Sequence, residues 1–281
     1  MTDRIQDNKS QTQDAPQLDK QQPGPGRLFL IPTPLGPHPE NQVLPEHVIR
    51  VVHGLDTFFV ERIRQANSFL RWINHPVPDF KCRFYELNKH TPGEDLLEMV
   101  ALLKNGSDGG IITEAGCPGV ADPGSELVRL AHESGIEVVP LTGPSSILLA
   151  VMASGMNGQA FAFHGYLPRP GRERTERIRF LENDSGKRNV TQVFMETPYR
   201  NNNLLEELLR ELADTTRLCV ASDLTLPEEQ IISCRITEWR KRKVDLDQRP
   251  SIFLLLAEET PAGRTTKKKP AHRRKRVGKQ S

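Results

Sequence analysis

Three times in the first half of this chain an apolar run breaks into a loop of small and rigid residues. "RLFLI" (27–31) runs into "PTPLGP" (32–37), "GGIIT" (109–113) into "TEAGCPG" (113–119), and "EVVPL" (137–141) into "LTGPSS" (141–146). Two further apolar runs, "TFFVE" (57–61) and "RFYEL" (83–87), stand among helix-patterned stretches at 45–54, 93–106, 124–135 and 144–155. Short apolar runs that alternate with amphipathic stretches predict parallel strands covered by helices. In a parallel sheet the loops that leave the carboxyl ends of the strands share one edge, and that edge is where α/β proteins take ligands. A single loop of this kind is most often a plain turn. Three at equivalent strand ends predict a binding edge. Gly54, Gly106, Gly135 and Gly155 end the four helical patterns and are expected as C-caps.

Beyond Gly155 the strands lengthen: "FAFHGYLP" (161–168), "TQVFMET" (191–197), "RLCVAS" (217–222), "EQIISCRITEW" (229–239) and "SIFLLLAE" (251–258). Helices are expected near 173–184 and 199–213. No helical pattern separates 229–239 from 251–258, which predicts antiparallel pairing there. The expected fold class is α/β: two α/β domains, with a mainly parallel sheet in the first (26–156) and a mixed sheet in the second (157–260). Flanking them are an N-terminal tail (1–25), rich in Gln, Asp and Pro and expected to be disordered, and a basic tail (261–281).

That basic tail, "PAGRTTKKKPAHRRKRVGKQS", carries nine Lys/Arg and no acid, so the formal charge of +2 divides unevenly. Everything before Pro261 holds 29 basic and 36 acidic residues, a balance of −7. No stretch approaches the roughly 18 consecutive apolar residues of a membrane span, and the first residues lack the apolar region of a secretory signal. Cys82, Cys117, Cys219 and Cys234 are scattered without a CxxC pair. That argues against a metal site or a disulfide framework, and for reduced thiols in a cytoplasm.

The loops do not match the common nucleotide motifs. The chain has neither GxxxxGK[ST] nor a GxGxxG opening the first helix. Prolines stand where a dinucleotide loop needs amides, and proline has no N–H to donate. A nucleoside-like ligand gripped through backbone contacts fits better. The stretch "TEAGCPGVADPG" (113–124) flanks Cys117 with Glu114 and Asp122. It reads as a reactive thiol, a metal corner, or backbone cleared for a ligand.

The set "LFLIPTPLG", "TEAGCPGVADPG", "VVPLTGPSSILLAVMASG", "FAFHGYLP" and "FMETPYR", in this order and spacing, resembles the tetrapyrrole methylase superfamily. Within it the set is most similar to the branch that methylates a cytidine ribose 2′-oxygen in small-subunit ribosomal RNA. The resemblance runs from Arg27 to Glu258. It implies a methyltransferase that uses S-adenosylmethionine (SAM), folds the cofactor into the cleft between two α/β domains, and works as a homodimer on ribosomal RNA or the small ribosomal subunit. It places SAM against Pro32, Thr33, Pro34, Leu35 and Gly36, then Glu114, Ala115, Gly116, Cys117, Pro118, Gly119 and Val120, then Gly143, Pro144, Ser145 and Ser146. From the second domain it adds Phe194, Met195, Glu196 and Thr197, the stretch 221–225 with Ala221, Leu224 and Thr225, and the strand after Arg249. Under this reading Cys117 lines a pocket instead of attacking a substrate. Some segments depart from the branch's pattern: "VERIR" stands where "AEDTR" is usual, and "ASDLT" where "ARELT" is.

Methylating a hydroxyl requires alignment with the methyl donor and a group to take the proton. Glu61, Lys89, His90 and Asp122 are the candidates at strand ends. Their structural alternatives are a surface salt bridge for Glu61, a solvated loop for Lys89 and His90, and a helix cap for Asp122. Arg62, Arg64, Arg200 and Arg249 are candidates to clamp an anionic substrate, with Arg200 in "ETPYR" foremost. The basic tail can add sequence-independent affinity for phosphates, although it lacks aromatic residues to stack on bases. Two other readings stay open. One is methylation of a tetrapyrrole or another small polycarboxylate, which would want many arginines in the cleft. The other is a SAM-binding module without catalysis.

Overall fold

The computed structural model describes residues 24–37 and 42–258. The basic segment from Pro261, like nearly all of the N-terminal tail, lies outside the described residues.

The first sheet is wholly parallel. It is built from β1 (Arg27–Ile31), β2 (Thr57–Val60), β3 (Arg83–Glu86), β4 (Gly109–Ile112) and β5 (Glu137–Pro140), in the order β3-β2-β4-β1-β5. Its helices are α1 (Glu46–His53), α2 (Ile63–Trp72), α3 (Gly93–Lys104) and α4 (Ser125–Glu133). Because side chains alternate across a strand, β1 divides its apolar residues between two cores. Phe29 and Ile31 join the α1 and α2 side, and Leu28 joins the α3 and α4 side. Since β1 pairs with β4 on one side and β5 on the other, the three Gly/Pro loops emerge next to one another.

The sequence pattern left α2 unread. Its buried residues Ala66, Phe69 and Leu70, followed by Ile73, keep helical spacing, but "ERIRQA" looks like a charged loop where the helix begins. Gly106, Gly135 and Gly155 take positive φ just past their helices, whereas Gly54 stays right-handed (φ −85°) at the end of α1. A fifth helix, α5 (Ser146–Ser154), opens from the third loop with the Ser145 hydroxyl capping the Leu148 amide.

The second sheet is mixed, as expected. It contains β6 (Phe161–Tyr166), β7 (Thr191–Met195), β8 (Arg217–Ser222), β9 (Gln230–Arg235) and β10 (Ser251–Leu256), ordered β6-β7-β10-β8-β9. Only β6 and β7 run parallel. The run 229–239 is not one strand: β9 stops at Arg235 and residues 236–239 turn into a short helix, because Trp239 must fold back into the core and donate its indole N–H to Leu218 O at 2.7 Å. The helix α6 spans Arg172–Arg188, longer than its sequence pattern suggested, and α7 spans Asn201–Glu211.

One face of this sheet (Phe194, Val220, Phe253, Leu255) packs with α6 and α7 residues such as Ile178, Leu204 and Leu208. The other face (Val193, Cys219, Ala221, Ile252, Leu254) packs against Ala150 and Val151 of α5. A helix that follows the first sheet in sequence thus seals the second, and so ties the two halves together.

Two local features bear on the site. In β6 the register with β7 slips: Phe163 lies opposite Val193, but Tyr166 lies opposite Met195. Three residues on one strand span two on the other, with Gly165 at φ +62°, which is a β-bulge. An extra residue reverses the side-chain alternation beyond it, so Tyr166 falls on the same face as Phe163. Second, Arg174 of α6 is only 2% exposed. Its guanidinium reaches Glu207 on α7 (2.6 Å) and Glu196 beyond β7 (3.2 Å), and Arg200 grips the other oxygen of Glu196 at 2.7 Å. Removing one member of a buried ion network leaves uncompensated charge. Arg174→Ala is therefore expected to lower the unfolding free energy by about 3–5 kcal/mol in urea titrations. Arg129→Ala, which removes pairs with Glu126 and Glu133 that lie in solvent, should leave the midpoint nearly unchanged.

Candidate active site

The loops at the sheet edge hold one another before they hold anything else. Thr33 and Gly116 exchange backbone hydrogen bonds, Thr33 N to Gly116 O at 2.9 Å and Gly116 N to Thr33 O at 3.1 Å. The third loop closes on the first at Gly143, where a Cβ would stand 2.3 Å from Cγ of Pro32. It is joined to the second by Cys117 Sγ–H, which donates to Pro144 O at 3.4 Å. Much of the small-residue character of these loops therefore serves loop-to-loop packing. Cys117 has no base or cation beside its thiol. Burial, reinforced by Asp122, pushes its pKa above the ordinary thiol value, which is the opposite of what a nucleophilic cysteine needs.

Three cavities meet on this platform. The first, about 290 Å³, lies between the two sheets. Its walls include Leu35, Ser146 and Ile147 from one side and Met195, Ala221 and Leu224 from the other. That size is at the lower end of small-molecule pockets, roughly 300–1,000 Å³. The second, about 910 Å³, opens over β2, β3 and β4 and is lined by Glu61, Asn88, Lys89, His90, Glu114 and Asp122. The third, about 490 Å³, lies between the first loop and α2 and includes Thr33, Gly36, Phe69 and Thr113. Glu114 borders all three, and Ala121, Asp122 and Tyr166 form the partition between the first and second.

The second cavity thus contains all four candidates for proton transfer, Glu61, Lys89, His90 and Asp122. Asp122 caps no helix: α4 starts at Ser125, and its N-cap is Gly124 at φ +124°, without a side-chain cap. Ala121 is itself held at φ +62°, a conformation a non-glycine residue adopts only when its surroundings demand it. Burial first, then the charges of Glu61 and Glu114, raise the Asp122 carboxyl to about 6. Glu61 is also shifted upward, by burial and by Glu114. It makes no ion pair among the described residues, because its neighbour Arg62 pairs with Glu114 instead (3.1 Å).

The arginines are placed differently from expectation. Arg200 is held by the buried Glu196 and stacks its guanidinium over Tyr199. Arg249 is fully employed inside the protein, donating to Asp223, Gln230 and Glu228 O, which braces the loop where Asp223 and Thr225 take positive φ. Arg64 lies exposed in the first turn of α2 and borders none of the three cavities. Only Arg62 stands at a cavity wall.

Of the residues expected against a cofactor, Leu35, Glu114, Ala115, Val120, Ser146, Met195, Glu196, Ala221 and Leu224 line the first cavity, and Thr33, Pro34 and Gly36 the third. Pro32, Gly116, Cys117, Pro118, Gly119, Gly143, Pro144 and Ser145 belong to the interlocked loops and line none of the three cavities. Phe194 points away from the cleft, fully buried and stacked on Phe253 with ring centroids 6.1 Å apart, because Met195 takes the cleft-facing position of β7. Thr197 donates from its amide and hydroxyl to Glu196. Thr225 donates its amide to Glu229 outside the pocket. Sequence reasoning missed Tyr166, which lay within a quoted motif, because nothing in the pattern marked the bulge that presents it. Asp223, inside the 221–225 stretch that the resemblance names, lines the first cavity from a left-handed turn.

The model of the tetrapyrrole (corrin/porphyrin) methylases matches residues 42–239. The ribosomal RNA small subunit methyltransferase I of Escherichia coli O157:H7 is 27% identical over 236 residues, covering 83% of this chain and 78% of that protein. Its counterpart in Bacillus subtilis (strain 168) is 30% identical over 213 residues, covering 76% and 68%. Among solved structures, the uroporphyrin-III C-methyl transferase from Thermus thermophilus, complexed with S-adenyl homocysteine, matches with a TM-score of 0.52 at 18% identity. The match covers 82% of this chain and 97% of that one, a likeness of fold.

The raised Asp122 carboxyl has a measurable cost. Its ordinary value is 3.8 and its folded value about 6. Between those two, the native protein keeps a proton that the unfolded chain has released, so stability falls as pH rises through that window. Asp122→Asn is expected to raise stability at pH 8 by about 1–2 kcal/mol, allowing for the partial exposure of the group. The gain should vanish below about pH 4. Urea titrations at several pH values would check both.

Proposed function

Because the chain belongs to the tetrapyrrole (corrin/porphyrin) methylase family, we propose that it is a SAM-dependent methyltransferase acting on the ribose 2′-oxygen of a cytidine in small-subunit ribosomal RNA. The observation that carries this reading is the partition at Asp122. It separates a cleft between the two sheets from a larger chamber that gathers Glu61, Lys89 and His90.

SAM is assigned to the inter-sheet cleft. The residues fit it: apolar side chains (Leu35, Ile147, Met195, Leu224) supply a dry lining, and Glu114, Asp122 and Asp223 suit a cationic ligand. Thr113 Oγ1, buried at the end of β4 with no partner among the described residues, belongs to the neighbouring third cavity. When bound, SAM supplies an electrophilic methyl group. The acceptor belongs in the larger chamber. There Asp122, ionised above its pKa of about 6, takes the hydroxyl proton, and Glu61 and Glu114 keep its affinity for that proton high.

The four carboxylates lining the chamber (Glu61, Glu114, Asp122 and Glu126) repel a small polycarboxylate, which disfavours a tetrapyrrole acceptor. Arg62 and Lys89, both exposed on the chamber's lining, favour phosphates at its rim. Exposed Leu148 and Met152 on α5 and Phe161 on β6 support the homodimer that the family resemblance implies. The four free, scattered cysteines support a reducing cytoplasm.

The test uses the full chain, methyl-labelled SAM and small ribosomal subunits from cells lacking this protein. Label is expected at a single ribose 2′-position, with a rate that rises through about pH 6 in step with Asp122. Asp122→Asn should lower kcat about a hundredfold or more while leaving SAM binding intact by calorimetry. Deleting residues 261–281 should weaken subunit binding and flatten its dependence on salt. Label in a small polycarboxylate instead of RNA would overturn the assignment.

A further inference from the structure

The chamber assigned to the acceptor is built of two chemically different parts. Its lining carries Glu61, Glu114, Asp122 and Glu126, of which Glu61 and Asp122 are half-buried, with the ring of Tyr166 on the wall shared with the cofactor cleft. Arg62 and Lys89 on the same lining are exposed, with His90 beside them, and Arg62 pairs with Glu114 at 3.1 Å. A phosphate carried beside Glu61 and Asp122 would face two half-buried carboxylates, whereas a sugar and base carry no charge. The chamber therefore takes a neutral nucleoside and leaves the flanking phosphates at the rim. At about 910 Å³ it has ample room for a nucleoside.

Tyr166 is placed for a ligand more than for the fold. It is 56% exposed, and its hydroxyl makes no hydrogen bond among the described residues. The bulge at Gly165, which reverses side-chain alternation within β6, puts it on the cleft face opposite Met195. An aromatic ring standing free in a chamber that admits a nucleoside offers a stacking surface, which is how proteins hold bases drawn out of a strand.

We propose that Tyr166 is the platform on which the base of the acceptor nucleotide stacks, so that the acceptor is methylated as a single nucleoside extruded from its strand. This rests on the reading of the chain as an RNA methyltransferase. The bulge supplies the platform, the acidic wall selects against a phosphate, and the ring holds the sugar beside the cofactor cleft with its hydroxyl toward Asp122.

The experiment compares wild type with Tyr166→Phe, Tyr166→Leu and Tyr166→Ala, using the full chain, labelled SAM and small ribosomal subunits from cells lacking the protein. For each variant kcat and KM for the subunit are separated, and SAM binding by calorimetry serves as the check on folding. Tyr166→Phe is expected within about twofold of wild type, because the ring remains. Tyr166→Ala and Tyr166→Leu are expected to raise KM by about tenfold or more, the scale of losing one base-stacking contact, with SAM affinity unchanged. An unchanged KM in both aliphatic variants would overturn the stacking role while leaving the RNA methyltransferase reading in place. Equal impairment in Tyr166→Phe would also overturn it, by assigning the effect to the hydroxyl. No label in RNA from wild type, with SAM bound, would overturn both readings together.

Discussion

The two backbone hydrogen bonds between Thr33 and Gly116 hold the ligand edge together. They join the loop after β1 to the loop after β4, and the close approach of Gly143 to Pro32 brings in the loop after β5. Strand order makes this possible, since β1 lies between β4 and β5. Side-chain identity makes it tight, since the third loop fits against Pro32 only without a Cβ. With the three loops locked, the positions of Glu114, Asp122 and the start of α5 are fixed relative to one another. That α5 then packs on the second sheet extends the lock to the other wall of the cleft.

Much of this was legible in the sequence, because strand–loop–helix alternation is a local signal. The parallel sheet, the shared edge of the three loops, the mixed second sheet and the gathering of Glu61, Lys89, His90 and Asp122 near strand ends follow from runs of four or five residues and their flanking glycines. What stayed hidden depends on side-chain direction or distant partners. Phe194 and Met195 are neighbours in a quoted motif, yet the parity of β7 sends one into the core and the other to the cleft. Arg174 sits in "GRERTERIR", which reads as a solvated helix face until Glu196 and Glu207 arrive from elsewhere in the chain. The helix α2 was obscured because its first turn is charged. Asp122 looked like a cap because the pattern could not show that α4 begins three residues later.

The distribution of charge also has two scales. Before Pro261 the chain is acidic, and the chamber beside Asp122 concentrates that acidity, while the terminal segment is strongly basic. Under the proposed function, the basic segment attracts an RNA polyanion whose phosphates the carboxylates of the chamber repel.

The bulge in β6 has one more effect. β6 is an edge strand of the second sheet, with a row of backbone donors and acceptors facing outward, and a flat edge of that kind templates unwanted strand addition. The left-handed turn at Gly165 breaks the regular spacing of those groups in the last third of the strand and twists it out of line. The feature that aims an aromatic ring inward therefore also protects the sheet from open-ended association.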